Sequence, residues 1–585
     1  MIRALLLLAI AGAVWAGGVA ASGGFDFRIG GIPVRSHNPV PAAILAAVCF
    51  VAAFYRGLSG VREAIAWWAA AIARRAAAVA AALAIAAVAV GAIWGTYAAG
   101  GPDSYCYLNQ AEIFARGTVR ELQPIAALAP WPDPAAAFVP IGHVPSPGPV
   151  GAIVPMCAAG YPLMMAAART VAGRTAMFWI VPLMGGLAVW LTFLLGRGVA
   201  GAPAGLLAAL LLATSPTFLY QVVQPMTDVP AVALWTLALV VATRQSPFLA
   251  GLATGLALIV RPNLVPLAAV IWGQISIFSR REDRDLTPWL RATTAFGIGV
   301  LPFVVAVAAF QDAMYGGPLK SGYGDLGSLF GADHVFPNLQ RYPVWLVRTE
   351  TPFILLALAG PWALSGAARR TAWWLLAFAA ATLACYIPYE IFDAWWYLRF
   401  VLPAFPPLLI LSSATFLFAV SRLSVPVRGL AIGAIAAVLV AFHLTAAVNG
   451  SAFRMRDYER RFRDGGEYVA RHLPANAAVI TVWQSGSVRF YSGRLTMLWN
   501  SIEPEWLDRS LEFLRAQGYQ PYLLFERGEE QEFRTKFDGH SRLGGLDWPP
   551  IADINRQVRI YDPADRERYK QGERVETHRV WTVGR

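Results

Sequence analysis

"AAAVAAALAIAAVAVGAIWGTYAAGGPDSYCYLNQAEIFARG" occupies residues 76–117. Its first part, 76–98, is apolar and uncharged, and a helix needs roughly 20 such residues to cross a bilayer. A Gly-Gly-Pro turn follows, and the carboxylate of Asp103 comes directly after it. An ionisable group beside a membrane span is costly, and it usually serves either local structure or function. The stretch therefore predicts a membrane protein with a polar site where the chain leaves the bilayer.

The composition of the whole chain agrees with a membrane protein. Of its 585 residues, 57% are hydrophobic and 14% are charged, whereas a soluble domain carries about 25% charged residues. The net charge of +12 does not indicate a nucleic-acid partner, because the arginines cluster in short loops between apolar runs. Few lysines and abundant alanine and arginine indicate GC-rich codons and hence a bacterial source.

Apolar windows recur along the chain and predict a polytopic α-helical membrane protein with about thirteen spans. The first window fits either a cleaved signal peptide or a retained helix, and we expect the retained helix. The windows are 4–22, 39–55, 76–98, 176–196, 203–221, 228–243, 247–261, 263–279, 293–312, 352–367, 371–389, 400–420 and 428–448.

Arginines in six short loops set the orientation. With the N-terminus inside, all six loops fall on one face, which the positive-inside rule assigns to the cytoplasm. The opposite face receives the long loops 99–175 and 313–351, residues 390–399 and everything after 449, so we expect function there, on the periplasmic side of a bacterial inner membrane. The arginines are Arg56, Arg62, Arg74, Arg75, Arg197, Arg244, Arg280, Arg281, Arg284, Arg291, Arg369, Arg370, Arg422 and Arg428.

The polar tail has the pattern of a small α/β domain. "AAVITVW" (477–483) and "YLLFER" (522–527) have the composition of strands, and "EPEWLDRSLEFLRAQGY" (503–519) has helical spacing. A strand, a helix and a second strand predict an α/β fold outside the membrane.

Residues 104–116 have the spacing of a helix with one apolar side, formed by Tyr107, Leu108, Ala111 and Phe114 among others. We predict an amphipathic helix at the outer interface. Its N-cap would be Asp103 or the serine that follows it. Capping does not prevent chemistry, because one carboxylate oxygen can cap while the other faces a cleft.

A second carboxylate and two arginines reach the same face. Asp228, in "QVVQPMTDVPAVAL", stands at the outer mouth of the sixth span, where its sequence also suits a helix start. Arg261, in "IVRPN", and Arg399, in "DAWWYLRFVLPAFP", lie at outer span ends against the positive-inside trend. They either snorkel to the headgroups or bind a phosphate, which guanidinium contacts through bidentate hydrogen bonds.

The outer loop 315–352, "YGGPLKSGYGDLGSLFGADHVFPNLQRYPVWLVRTETP", is rich in Gly, Pro and aromatic residues. Loops of this length are usually functional or disordered, and the aromatic content favours an ordered lid. The loop carries Lys320, Tyr323, His334, Arg341 and Arg348.

Cysteines and histidines add little. Cys106 and Cys157 fall on the same predicted face, so a disulfide between them stays open, although no spacing motif supports it. His143 and His334 are isolated in the sequence, and no metal site is predicted from them. No cofactor is indicated, and a divalent cation stays open.

In their order along the chain these motifs resemble the GT-C superfamily of membrane glycosyltransferases. The likeness is strongest to bacterial members related to protein O-mannosyltransferases and to the lipid A aminoarabinose transferase. It covers residues 76–530 and depends on "GGPDSYCYLNQAEIF", "GYPLMMAAARTVAG" (160–173), "PMTDVPAVAL", "RPN", "YGGPLKSGYG" and "RFVLPAFPPLLIL". The catalytic loop of the family commonly follows the first helix, whereas here it follows the third apolar run. The WWD-type signature of oligosaccharyltransferases is missing, which disfavours N-glycosylation.

The resemblance implies three parts: an N-terminal transmembrane hairpin with a cytoplasmic loop (1–75), a catalytic membrane module (76–449) and a periplasmic α/β domain (450–585). It implies transfer of a hexosyl or pentosyl group from a polyprenyl-phosphate donor to a hydroxyl of a glycan, lipid or protein acceptor in the cell envelope. Neither the sugar nor the acceptor is specified.

Roles for the candidate residues follow from this chemistry. Asp103 would act as the base, and Asp228 would orient the acceptor, tune Asp103 or help to bind a cation. Inversion in a single displacement follows if no enzyme nucleophile intervenes. The remaining candidates bind the donor phosphate or lie in substrate loops; the first group is Arg261, Arg399, Lys320 and Arg341, and the second is Tyr105, Tyr323 and His334.

The main alternative is a transporter or flippase of an envelope lipid or glycan precursor. Ion relays need ionisable groups near the membrane midplane, whereas the charges here favour outer loop ends, and the sequence shows no inverted repeat. A structural scaffold of a membrane complex is a third hypothesis.

Overall fold

The computed structural model describes residues 2–22, 25–29, 32–55, 57–279, 286–324 and 326–581. Four arginines used for the orientation, Arg56, Arg280, Arg281 and Arg284, lie outside the described residues.

The N-terminal region is a helical hairpin followed by two more helices. α1 and α2 pack against each other, as two neighbouring spans would. Part of the stretch predicted as a cytoplasmic loop forms the helix α3, in which Val61, Ala64 and Trp68 recur at helical spacing. The elements are α1 (Ile2–Ser22), β1 (Phe25–Ile29), β2 (Ile32–Ser36), α2 (Val40–Tyr55), α3 (Leu58–Arg74) and α4 (Ala76–Trp94).

The long segment after α4 folds into three helices and a small antiparallel sheet. Its elements are α5 (Gly101–Ala115), β3 (Glu121–Leu122), α6 (Pro134–Phe138), β4 (His143–Pro145), β5 (Ala152–Pro155) and α7 (Gly160–Ala172). β5 lies between β3 and β4. The disulfide that the sequence left open is formed: Cys106 of α5 bonds to Cys157, with Cα atoms 6.3 Å apart.

The membrane body continues with helices that are largely apolar. Six helices of the described chain are long and apolar enough to cross a membrane, and the bent pair α9–α10 makes a seventh. Shorter apolar helices accompany them, so the chain is a multi-pass membrane protein, while the total of about thirteen spans stays a prediction. The elements are α8 (Ile180–Ala200), α9 (Ala202–Thr214), α10 (Pro216–Val222), α11 (Asp228–Thr243), α12 (Pro247–Val260), α13 (Val265–Ser279), α14 (Thr287–Tyr315), α15 (Leu326–Leu329), α16 (Val335–Glu350), α17 (Gly360–Ala363), α18 (Gly366–Tyr386), α19 (Phe405–Val420) and α20 (Val425–Asn449), with 3-10 runs at Pro352–Ala359 and Trp395–Ala404.

The C-terminal region is an α/β domain, as predicted. Its six strands are ordered β11-β9-β10-β8-β6-β7, and β6 runs parallel to both β7 and β8. The predicted strands and helix are β6, β8 and α23. The elements are α21 (Met455–His472), β6 (Ala477–Ile480), α22 (Ser485–Ser492), β7 (Leu495–Met497), α23 (Leu507–Ala516), β8 (Gln520–Glu526), α24 (Glu529–Phe537), β9 (Ala552–Ile554), β10 (Val558–Tyr561), α25 (Asp565–Lys570) and β11 (His578–Val580).

The C-terminal domain covers α5. Asn109 on the polar side of α5 is buried, and its Nδ2 donates to the carbonyl of Gly486 in α22 at 3.1 Å. The Tyr105 ring occupies the space that a Cβ on Gly486 would need. The predicted surface-lying amphipathic helix is therefore wrong: α5 is buried along most of its length because α22 packs on its polar side.

Candidate active site

A cavity of about 910 Å³ lies where α5, the end of α12, the loop after α14 and the 3-10 run before α19 meet. Its lining is aromatic and apolar with a few ionic side chains. Six predicted site residues line it together: Asp103, Asp228, Arg261, Lys320, Tyr323 and Arg399.

Asp103 enters the cavity from the first turn of α5. The N-cap of this helix is Gly100, and no side chain of the described residues caps it, so the predicted capping role of Asp103 or Ser104 is wrong. Gly101 has a φ of +63°, a left-handed conformation that glycine adopts without steric cost. The carboxylate nevertheless lies near the positive end of the α5 dipole.

The ionic side chains form a chain of alternating sign. Arg399 Nη2 donates to Asp103 Oδ2 at 2.7 Å, and Arg261 Nη2 donates to Asp228 Oδ1 at 2.8 Å. Arg399 Nη1 also lies 3.9 Å from Asp228 Oδ2. The positive charges of the two arginines equal the negative charges of the two aspartates, so each buried charge has a partner of opposite sign.

The two aspartates differ sharply in exposure. The Asp103 side chain is 41% exposed and that of Asp228 is 1% exposed. Among the described residues Asp103 Oδ1 accepts no hydrogen bond, so this oxygen is open to a ligand in the cavity. Asp228 instead lies sealed between two guanidinium groups, where it can hold them in place but cannot easily reach a substrate.

Both arginines keep donors for a further ligand. Within the described ranges, the buried Arg261 Nη1 and Arg399 Nε have no hydrogen-bond partner. Buried polar groups are nearly always hydrogen-bonded, so these N–H groups indicate an absent acceptor. Lys320, exposed on the lining loop, adds a third cation. The electrostatics therefore suit an anionic ligand.

Aromatic rings fix the two guanidinium groups. Phe400 lies beneath both, with its ring centroid 5.0 Å from Arg399 Cζ and 5.6 Å from Arg261 Cζ. Tyr386 stacks on Phe400 at 5.2 Å and contacts Arg261 at 5.9 Å. Such cation–π contacts strengthen away from water, and they restrict the rotamers that the arginines can adopt.

The loop after α14 is held over the cavity, as an ordered lid would be. Tyr315 Oη donates to the carbonyls of Pro155 and Cys157 at 2.9 and 3.3 Å. Gly322 lies directly on the backbone of Met156, where a Cβ would clash. The disulfide at Cys157 thus anchors both α5 and the surface on which the loop rests.

Three predicted residues lie elsewhere. Arg341 forms an ion pair with the exposed Asp393, and His334 Nδ1 lies 3.2 Å from the carbonyl of Pro388; neither lines the cavity, because much of the predicted loop is the helix α16. Tyr105 is buried against α22 rather than in a substrate loop.

Several lining residues were missed from the sequence. Tyr107 was assigned to an apolar face, yet its Oη lies 3.2 Å from Thr227 Oγ1 at the cavity. Asn263 Nδ2 donates to Tyr386 Oη at 2.9 Å. Asn263 belongs to the "RPN" motif, and its place beside Arg261 in that motif was the only feature of the sequence that indicated a role in the site.

No set of ligands for a divalent cation is preformed among the described residues, which contain no group of three or more His, Cys, Asp or Glu side chains placed to hold a metal. Of the carboxylates that line the cavity, guanidinium groups engage Asp103 and Asp228, and Glu390 lies exposed on the lining.

Fold and site together define a multi-pass membrane protein with an acid–arginine cavity beneath an α/β domain. Residues 77–246 match the family described as Oligosaccharyl transferase STT3, N-terminal. No curated protein matches the chain.

Solved structures give the fold. The chain is similar to ArnT from Cupriavidus metallidurans bound to undecaprenyl phosphate, with a TM-score of 0.53 and 12% identity over 82% of this chain and 96% of that one. For apo ArnT the TM-score is 0.51 and the identity 14%, over the same shares. For the apo Archaeoglobus fulgidus oligosaccharyltransferase the TM-score is 0.47 and the identity 12%, over 80% of this chain and 72% of that one. At these identities the likeness shows the fold: the chain folds like the two ArnT structures over most of its length.

Proposed function

We propose that the protein is a glycosyltransferase that moves a sugar from a polyprenyl-phosphate donor to an acceptor hydroxyl on the periplasmic face of a bacterial inner membrane. The carrying observation is the pairing, in one cavity, of an open carboxylate with two buried guanidinium groups that keep unpaired donors. The likeness to an ArnT structure that contains undecaprenyl phosphate supports this donor class.

The arginines suit the departing phosphate. When the bond between the anomeric carbon and the phosphate oxygen breaks, the electron pair stays on that oxygen and negative charge develops there. Arg261 Nη1 and Arg399 Nε are preorganised donors for this charge, and Lys320 can add a third contact. Donors fixed before the reaction lower the barrier most, because they need no reorganisation during it.

Asp103 suits the acceptor. Its open oxygen can take the proton of the acceptor hydroxyl as the new bond to the anomeric carbon forms. Arg399 holds the other oxygen and so fixes the orientation of the carboxylate. A single displacement with one base inverts the anomeric configuration. Asp228 then acts as a positioning residue that holds both arginines.

The remaining lining suits a lipid-linked donor. Val265, Val307 and Phe310 line the cavity and offer an apolar wall to an isoprenoid chain. The disulfide between Cys106 and Cys157 supports an outer location for this side of the protein, because disulfides persist in oxidising compartments.

The test is the substitution Asp103→Asn in purified protein reconstituted with a polyprenyl-phosphate sugar and cell-envelope acceptors. Loss of the base should lower the transfer rate by roughly 10²–10⁴-fold, measured as radiolabelled sugar transferred. Asp133→Asn is the matched control, because Asp133 lies outside the cavity lining and has a left-handed backbone that asparagine tolerates.

Two results would refute the proposal. One is transfer by Asp103→Asn at the wild-type rate. The other is protein-dependent movement of the lipid-linked sugar across sealed vesicles with no sugar transferred, which would favour a transporter or flippase.

A further inference from the structure

The C-terminal domain contains a second pocket, of about 580 Å³, at the ends of β8, β9 and β10. Ligand pockets commonly measure about 300–1,000 Å³. The pocket is mostly polar, and the residues that matter here are Glu526, Arg527, Arg556, Arg559, Arg579 and Trp581.

The acidic residues of the pocket are already paired. Glu526 accepts hydrogen bonds from Arg461 Nε at 3.0 Å and from Gln484 Nε2 at 2.8 Å. Arg559 pairs with Glu530 at 3.3 Å and with Asp553 at 3.4 Å. Four arginines and three carboxylates line the pocket, so positive charge is in excess there.

Three arginines stay without a carboxylate. Arg527, Arg556 and Arg579 are exposed, and in the part of the chain that the structure describes they form no ion pair with an acidic side chain. Like charges gathered in one pocket repel each other, and an anion relieves that repulsion. Guanidinium groups bind carboxylate and phosphate through paired, charge-assisted hydrogen bonds.

Arg556 lies in the turn between β9 and β10, where the backbone is strained. Asn555 and Arg556 have φ values of +53° and +57°, a conformation that is uncommon for an arginine. The turn places the Arg556 guanidinium 5.2 Å from the centre of the Trp581 ring. Trp581 is 58% exposed and presents a flat apolar surface beside the cationic groups.

We propose that this pocket binds an anionic saccharide, a sugar that carries a phosphate or a carboxylate. The three arginines would bind the anionic group, and the indole of Trp581 would pack on the sugar ring. The choice of a saccharide over another anion rests on the proposed function, in which the pocket holds part of the acceptor glycan.

The pocket is linked to the start of α5. Arg461, which pairs with Glu526 of the pocket, also lies 3.7 Å from Glu459. The Glu459 carboxylate contacts Gly100 at the N-cap of α5, where a Cβ would clash with it. A saccharide in the pocket would therefore be held by the same domain that buries the helix of Asp103.

The experiment is calorimetric titration of the full-length protein in lipid nanodiscs, without donor. The probes are a trimer of galacturonic acid, a neutral galactose trimer and inorganic phosphate. We expect the anionic trimer to bind at least about tenfold more tightly than the neutral one, since hydrogen bonds between charged groups are stronger than those between neutral groups. The triple variant Arg527→Gln, Arg556→Gln, Arg579→Gln should lose this preference. Trp581→Ala should weaken the binding of the anionic trimer.

Arg542→Gln is the control, because Arg542 is an exposed arginine of the same domain that pairs with Glu512 at 2.8 Å outside the pocket. Equal binding of both trimers, unchanged binding by the triple variant, or binding of inorganic phosphate alone would overturn the proposal. The proposal would also be overturned if phosphatidylglycerol vesicles displaced the anionic trimer from the wild type and from the triple variant to the same extent. Because no donor is present, these outcomes are independent of those for Asp103→Asn, and thermal unfolding of each variant shows whether it is folded.

Discussion

Asp228 is the residue on which the geometry of the cavity depends. Its carboxylate lies between Arg261 and Arg399 and is almost fully buried. Without it, two buried guanidinium groups would share one exposed counter-charge, Asp103. Its role is therefore better described as holding the arginines than as contacting the acceptor.

Asp228→Ala should destabilise the protein strongly. Removing one partner of a buried ion pair costs about 3–5 kcal/mol, because the remaining charge is left without compensation. Asp228→Asn should cost less, since the amide oxygen can still accept from Arg261. The measurement is the apparent Tm in detergent, with Asp333→Ala as the control because that side chain is 84% exposed. An unchanged Tm for Asp228→Ala would contradict the positioning role.

The sequence identified the charged residues that stand next to apolar runs. Asp103, Asp228, Arg261 and Arg399 stand beside apolar runs, where a charge is costly, and all four line the cavity. Tyr105, His334 and Arg341 gave no such signal, because a polar or aromatic residue in a loop is ordinary. Tyr105 is buried by α22, whereas His334 and Arg341 belong to the N-cap and the body of α16. Both arrangements form only once the whole chain has folded.

At the scale of elements, α7 and α12 meet through a glycine. A Cβ on Gly160 would lie 2.5 Å from the carbonyl carbon and oxygen of Ile259. That contact is two residues before Arg261. The close approach of the two backbones therefore sets the position of this arginine in the cavity.

Gly160→Leu should separate α7 from the end of α12. Overpacking of this kind costs about 1–3 kcal/mol, and the shift of Arg261 should raise the KM for the lipid-linked donor more than it lowers kcat. Gly198→Leu is the matched control, because it is also helical and has nothing within 4 Å of the added Cβ. Equal donor KM values for the two variants would show that Gly160 does not position Arg261.

The disulfide is a second constraint between elements. It closes a loop of 51 residues between α5 and the segment before α7. A loop of this length gains about 4 kcal/mol from the cross-link in the chain-entropy model. Cys106→Ala with Cys157→Ala should therefore lower the apparent Tm, and in the wild-type membrane both thiols should resist maleimide until a reductant is added. Labelling of both cysteines before reduction would contradict the bond and the outer location that it supports.

The element pattern shows what sequence can and cannot predict about the fold. Apolar runs predicted the membrane body, because they mark helices that are buried in lipid. The alternation of strand, helix and strand predicted the α/β domain, because it marks segments that are buried in a sheet. The 104–116 pattern was misjudged as a surface helix, because its polar side is buried by another part of the chain. Residues 58–74 were predicted only to connect the second and third spans, and their helical structure was not predicted, because the arginines among them were used for orientation alone.

At the scale of the whole molecule, the C-terminal domain contacts the start of α5 through a buried acid. Burial raises the pKa of Glu459 to about 7, after the opposing effect of Arg461 and a smaller increase from the charge of Glu526. The group keeps its proton in the folded protein at a pH where the unfolded chain has lost it. The contact between the C-terminal domain and α5 is therefore sensitive to pH.

The sign of this effect follows from proton binding. Between pH 4.5 and pH 7 the folded state binds more protons than the unfolded state, so stability falls as the pH rises through this window. Below pH 4.5 the carboxyl is neutral in both states and its burial carries no ionisation cost. The loss amounts to about 3 kcal/mol at most, from roughly 1.4 kcal/mol per pKa unit.

Glu459→Gln should remove this loss, because the neutral amide keeps the shape that fits against Gly100 and does not ionise. The apparent Tm of the variant should match that of the wild type near pH 4.5 and exceed it at pH 8, with the difference growing across the window. Glu505→Gln controls for the loss of a carboxylate, since that side chain is 70% exposed. A constant difference between Glu459→Gln and wild type from pH 4.5 to pH 8 would show that Glu459 does not titrate at the contact between the domain and α5.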